Sequence, residues 1–420
     1  MPEFREVKMR EEFSRSDREK ILRRTCAVVE KQYFDPKFNG RDWPAMVSAG
    51  KQAILDAGEP SDFERAMHDL VRGLGTSHTG FFHQSVNRVP GRLAICATFR
   101  KFETPEGLRW MFQDVHEGGP AHRAGIAPLD ILMSLNGRPI APPEQPMFPM
   151  GTTASVTVKK ANQSEATASI RIPNPRTRKQ PYAEARAVSH RRLDGNIGYL
   201  KSTIFPGLLG IDVSRELDAA FAALSDCDRL IVDLRGNLGG GLGLLRLMSH
   251  LAPGKIPIGY SVTRKRAERG FNKESLRRFD WIPSTKLAIP LVALLHAGRD
   301  GSVLLMTEGL GPKKAHGRIV LLVNEHTVSA GEMISGFAAE NKLATIVGSE
   351  TAGRLLGGTG FKVGHGYLVI LPKAAFYTWQ GKSYEGHGVT PDVPITWSPE
   401  AARDGKDNQL EKAVEVANSL

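Results

Sequence analysis

Four places in this 420-residue sequence hold residue types that could do covalent chemistry. The first is Asn324-Glu-His-Thr-Val-Ser329-Ala330-Gly331-Glu332, which separates the apolar run Arg318–Val323 from a helix-like stretch reaching Asn341. A serine at a strand-to-helix junction exposes its Oγ at the strand's end, and the free N–H groups of the first helical turn can stabilise an oxyanion. The same residues also read as a plain helix start, with Ser329 the N-cap and Glu332 closing a capping box. Ser335, inside that helix, is a weaker candidate nucleophile. The second place is Asp233-Leu-Arg-Gly-Asn-Leu-Gly-Gly-Gly241. It lacks the Lys-Ser/Thr of a phosphate loop and the G-x-G-x-x-G spacing, so it reads as a tight turn whose N–H groups could serve an oxyanion. The third is Thr76-Ser77-His78-Thr79-Gly80, at the end of a helical pattern, where the histidine could act as a base or simply cap the helix. The fourth is Glu385-Gly-His-Gly-Val-Thr-Pro-Asp392, with one carboxylate and one imidazole. His326, His387 and His83 lie near these segments and compete as bases.

Elements must position these groups. Residues 1–85 read as helical: Ser16–Glu19 and Ser61–Glu64 have capping-box spacing, and Phe63, Met67, Leu70, Val71 and Leu74 recur every three or four residues on one face. Residues 90–160 change to short β-like runs separated by Gly and Pro turns. From about residue 195, strand, glycine turn, helix and strand alternate (Arg229–Leu234, then a helix to about Leu251; Arg318–Val323, a helix, then Leu343–Val347). That alternation predicts a largely parallel sheet covered by helices.

Composition narrows the class. The chain is 41% hydrophobic and 24% charged, as in an ordinary globular protein, and its three cysteines are too scattered for a disulfide framework or a zinc knuckle. No metal or cofactor is expected. No stretch has the length and apolarity of a signal core or a membrane span, so the expected location is cytoplasmic, with no membrane partner. The net charge of +11 sits almost entirely in residues 171–192 (net +6) and 261–282 (net +4). Two local basic segments, in a sequence with no nucleic-acid module, argue against nucleic-acid binding. The part at 264–278 is expected to border a substrate channel, and Leu287–Leu295 and Val303–Leu305 to form strands.

Within 90–160, Glu117-Gly-Gly-Pro-Ala-His-Arg-Ala-Gly-Ile126, Asp130-Ile-Leu and Leu135-Asn-Gly137 resemble a PDZ domain, with Leu129 where that family usually has glycine. Such a domain captures the C-terminal ends of polypeptides by strand addition, which implies contacts at Gly91, Leu93 and Ile95. The ordered set of Asp233–Gly241, Val323–Glu332, Val347–Gly353 and Glu385–Asp392, behind Ser77-His78 and this module, is similar to the tail-specific, C-terminal processing serine proteases of peptidase family S41. The resemblance covers roughly residues 20–395. It implies an N-terminal helical domain (1–88), a PDZ-like domain (89–165), a basic linker (166–194), a catalytic domain (195–400) and a C-terminal helical tail (401–420). The implied fold class is a multidomain α+β and α/β protein whose catalytic sheet is mixed, largely parallel, with a crotonase/ClpP-like spiral core.

The family has two catalytic arrangements. In one, a lysine 25 residues after the serine is the base; here that position is Arg354, whose guanidinium stays protonated near neutral pH. In the other, tricorn-like arrangement, a Ser-His pair before the PDZ domain and a distant Glu complete a tetrad. The resemblance therefore implies Ser329 as nucleophile, His78 as base, Ser77 and Glu385 as orienting groups, and the N–H groups of Ala330 and Gly239 as oxyanion donors. Polypeptide C-termini are the implied substrates, and self-assembly into a homo-oligomer is common among relatives. The alternative from another class is a catalytically silent PDZ-containing peptide-binding protein, suggested by Arg354 at the lysine position.

Overall fold

The structure, a computed structural model, describes residues 13–85, 88–173, 185–282, 285–290, 301–311 and 314–420. The central part of the basic linker and the second half of the Leu287–Leu295 run lie outside those residues. The molecule separates into two compact units, each discontinuous in sequence: one takes in residues up to Val86, Val262–Phe271 and Leu356–Ala375, the other the rest.

The first unit opens with helices α1 (Arg15–Gln32), α2 (Trp43–Leu55) and α3 (Pro60–Arg72), followed by strand β1 (Gly80–His83). The capping box of α1 is Ser14 with Asp17, two residues ahead of the Ser16–Glu19 pattern. Helix α3 likewise starts before Ser61: Pro60, with its fixed φ and no N–H to satisfy, supplies the first turn, which has no side-chain cap. The apolar face is as the spacing predicts. Phe63, Met67, Leu70 and Val71 are buried and pack against Phe81 of β1 and Tyr367, Val369 and Leu371 of a hairpin (Gly358–Gly364 with Tyr367–Pro372). Strand β1 adds to that hairpin with Gly80 opposite Ile370. Arg264 is a packing residue here. Its guanidinium covers the Phe38 ring at 5.3 Å and its Nε donates to Glu268 at 2.8 Å.

The second unit begins with an antiparallel sheet of β2 (Ala97–Thr104), β3 (Gly107–Val115), β4 (Ile131–Leu135), β5 (Thr153–Lys159) and β6 (Glu165–Arg171), in that order. Trp110, Phe112, Ile126, Leu132, Val156 and Ile170 form its core. Leu129 adopts φ +74°, a conformation natural to glycine, while its side chain stays 8% exposed.

The central sheet has the order β7 (Val188–Leu193), β8 (Ile197–Ser202), β9 (Arg229–Asp233), β10 (Ile319–Val323), β11 (Thr345–Gly348), β12 (Val393–Pro394). The β7–β8 pair is antiparallel and every other pair is parallel. Helices α4 (Ile211–Ala223), α5 (Leu244–Leu251) and α6 (Ala330–Glu340) pack with Leu230, Val232, Leu321 and Val323 on one face. On the other face, Ala413 and Ala417 of α7 (Asn408–Ser419) pack with Ile231, Val320 and Leu322. Successive side chains of a strand point to opposite faces. With both faces covered, most strand positions are apolar, which is why Leu230–Val232 and Ile319–Val323 read as unbroken apolar runs. Val303–Met306 belongs to a separate small sheet, pairing with Arg277–Phe279 and with Pro257–Ser261.

Candidate active site

Strand β10 ends at Val323, and six residues later Ser329 stands at φ +53°, ψ −111°. An N-cap residue sits in the extended region, and a non-glycine residue in this strained region costs on the order of 1–3 kcal/mol. The capping box of Ser329 with Glu332 is present, but this backbone conformation is not that of an ordinary N-cap; it is that of a sharp strand-to-helix turn that turns the hydroxyl outward. The turn is held from within. Thr327 Oγ1 donates to Leu234 O at 2.8 Å, and Val328 N–H donates to Asn237 O at 3.1 Å. Gly331 has no room for a side chain, since a Cβ there would lie 2.7 Å from Thr327 Cγ2.

These bonds stitch the serine turn to the glycine turn after β9. Gly239, at φ +80°, faces the serine directly: a Cβ on it would lie 2.8 Å from Ser329 Cβ, 3.1 Å from Ser329 Oγ and 3.5 Å from Ala330 N. Glycine thus keeps open the space between the hydroxyl and the first amide of α6. The N–H of Gly239 itself is donated to Asn237 Oδ1 at 2.9 Å. Asn237-Leu-Gly239 is a local Asx pattern, a sequence signal that would have anticipated this bond.

Glu332 does more than cap. Fully buried, its carboxylate accepts from Ser329 N–H (3.1 Å), Thr351 Oγ1 (2.8 Å), Gly353 N–H (2.6 Å) and Arg354 N–H (2.7 Å). Burial outweighs these four donors and pushes its carboxyl above the usual range. The result fastens loop 351–355 to the backbone of Ser329, whose N–H also reaches Arg354 O at 3.1 Å. Glu385 joins from the far side, accepting Leu355 N–H at 2.9 Å. Arg354 thus meets the serine through its main chain.

Ser77 and His78 lie in the other unit, in the turn between α3 and β1. Ser77 Oγ and His78 Nδ1 are 2.9 Å apart, His78 has φ +57°, and its ring is exposed. Of the PDZ-type contacts, Gly91 and Leu93 lie in a one-turn helix, Gly91–Ala94, and Ile95 caps it with its side chain fully buried in the core of the β2–β6 module. Ser335 is excluded as a nucleophile, being buried with its hydroxyl donated to Gly331 O at 2.8 Å. His83 is engaged on both nitrogens, with Ser85 Oγ (2.5 Å) and His365 O (3.0 Å). His387 is exposed, and His326 has a buried Nε2 without a hydrogen-bond partner. The Cys26 thiol is pushed up to about 11 by burial and by Glu30, and Cys227 is also raised. No cluster of metal-ligating side chains occurs among the described residues, and no described helix is long and apolar enough to cross a membrane.

Residues 196–395 match peptidase family S41. The protein has an S41 peptidase domain. Tricorn protease homolog 1 of Streptomyces coelicolor is 21% identical over 413 residues, spanning 94% of this chain and 34% of its own length. The chloroplastic carboxyl-terminal-processing peptidase 3 of Arabidopsis thaliana is 22% identical over 395 residues, 90% of this chain and 69% of its own. This chain therefore spans about a third of the length of its Streptomyces relatives. Among solved structures, the photosystem II D1 C-terminal processing protease shares the fold with a TM-score of 0.53 at 19% identity, over 92% of this chain and 94% of that one.

Proposed function

We propose that the protein is a serine peptidase acting on polypeptides, with Ser329 as its nucleophile. The observation that carries this reading is the conformation of Ser329: a strained φ of +53° at the mouth of a helix, facing a glycine that keeps the adjoining space empty. In the proposed reaction, Ser329 Oγ attacks the scissile carbonyl carbon and its proton passes to His78. The peptide C–N bond breaks as His78 returns that proton to the leaving amine, and water then releases the acyl group by the reverse sequence. Ser77, hydrogen-bonded to Nδ1 in this structure, fixes the imidazole, and Glu385 favours its protonated form. The oxyanion receives the N–H of Ala330, and that of Gly239 once it leaves Asn237 Oδ1. Such a donor contributes roughly 3–4 kcal/mol to the barrier. Residues 89–165 act as a PDZ-like module that presents substrate C-termini along Gly91–Ile95.

The test is fluorophosphonate labelling and casein cleavage by wild type, Ser329→Ala and His78→Ala. Wild type labels and cleaves, Ser329→Ala does neither, and His78→Ala labels at least about 100-fold more slowly. Retention of cleavage by Ser329→Ala overturns the reading.

A further inference from the structure

Asp114 of strand β3 and His116, the residue just past its end, form a buried polar bridge to both turns of the candidate active site. His116, 2% exposed, has Nε2 2.9 Å from Gly236 O. A carbonyl only accepts, so Nε2 carries the proton. The N–H of the same glycine donates to Asn324 Oδ1 at 2.9 Å. Asn324, 1% exposed, lies just past β10, and its Nδ2 is 3.2 Å from each carboxylate oxygen of Asp114. Asp114 Oδ2 also accepts the Thr98 hydroxyl at 2.6 Å. Nothing but glycine fits at position 236: it has φ +67°, and a Cβ would lie 2.8 Å from His116 Cε1 and 2.9 Å from Asp114 Oδ2.

We infer that Asp114 and His116 are positioning residues for the peptidase reaction, orienting the Gly236 peptide groups and through them the turn that carries Gly239 to Ser329. The inference rests on the serine-peptidase reading. Both polar groups of Gly236 are held: its C=O by His116 and its N–H by Asn324, which Asp114 orients. Three residues later Gly239 faces the nucleophile. The strand that holds the glycine turn thus belongs to the β2–β6 module rather than to the sheet that carries Ser329.

The electrostatics fit this role. Burial opposes the charge of Asp114, but His326, His116, Lys201 and the Thr98 hydroxyl together hold its carboxyl below the usual range. Burial and Lys201 push His116 down, against Asp114, the Gly236 bond and Asp233. The ring is therefore neutral near pH 7, with its one proton committed to Gly236. A cavity of about 410 Å³, lined by Asp114, His116, Lys201 and Asn324 among others, lies beside the bridge.

The experiment uses the 420-residue protein with His116→Ala, His116→Gln and Asp114→Asn, since glutamine can present an N–H close to where Nε2 stands. The inference expects His116→Ala to lose about 10- to 100-fold in kcat with KM within twofold, and Asp114→Asn about 10-fold. His116→Gln returns to within about threefold of wild type. Amide hydrogen exchange across 236–241 speeds up in His116→Ala and not in His116→Gln. Wild-type kcat and exchange in His116→Ala overturn the inference, as does failure of glutamine to rescue a variant whose melting temperature matches wild type. If wild type itself neither labels nor hydrolyses, the peptidase reading fails. The exchange comparison still decides whether His116 holds the turn.

Discussion

At the scale of single residues, the chemistry depends on conformations that local sequence states only in part. The position of Ser329 was legible, because an apolar run followed by a helical pattern leaves one junction for a serine to occupy. Its φ of +53° was not, since the strain is held by partners in the 234–239 turn, some 90 residues away. Glu332 read as a cap because Ser329 lies three residues before it. Its other acceptor bonds go to residues 19 to 22 positions on, beyond any local pattern. Gly239 shows the same limit: the glycine run was visible, but not that one member faces Ser329. Gly239→Ala introduces a Cβ 2.8 Å from Ser329 Cβ at φ +80°. Its expected cost is roughly 1–3 kcal/mol in urea unfolding and about 100-fold in kcat. Unchanged hydrolysis in that variant removes the glycine from the site.

At the scale of elements, the central sheet was legible because it is covered on both faces, so strands β9 and β10 announce themselves as continuous apolar runs. The helix starts were misplaced by a residue or two where Asp17 or Pro60 took the role assigned to a later capping box. Leu129 shows two local preferences in conflict. A left-handed leucine costs about 1–2 kcal/mol, while removing a buried leucine side chain costs about 2–5 kcal/mol. The loss of packing exceeds the relief of the backbone, so Leu129→Gly should destabilise by roughly 1–3 kcal/mol. A midpoint of denaturant unfolding at or above wild type would show that strain dominates instead.

At the scale of the whole molecule, one buried ion network links β9, the glycine turn and α7. Arg235 grips Asp233 (2.8 Å) and Asp407 (2.7 Å), and Asp233 also accepts the Tyr199 hydroxyl at 2.7 Å. Burial works against the charge of Asp233, yet Arg235 and Lys201 hold its carboxyl well below the usual carboxylate range. Its unfolded value is about 3.9. The folded group therefore binds its proton less readily, and the stabilisation is complete above about pH 4 and is lost as the pH falls below it. Urea midpoints measured from pH 7 to pH 2.5 should drop steeply below about pH 4 in wild type and less steeply in Asp233→Asn. Equal slopes would place the acid sensitivity elsewhere. This network spans residues far apart in sequence, so composition and motif spacing carried no sign of it.

That span has a consequence for synthesis. Asp407 accepts Leu410 N–H as the N-cap of α7 while clasping Arg235, a residue made 172 positions earlier. A ribosome-bound polypeptide that has reached only residue 404 lacks both this clasp and the helix that covers Ile231, Val320 and Leu322. Under the proposed peptidase reading, such a polypeptide should not yet hold an assembled site. Polypeptides stopped at residue 404 should take up no fluorophosphonate, and addition of residues 405–420 should restore labelling. Full labelling of the shortened protein would show that the site closes without its last helix.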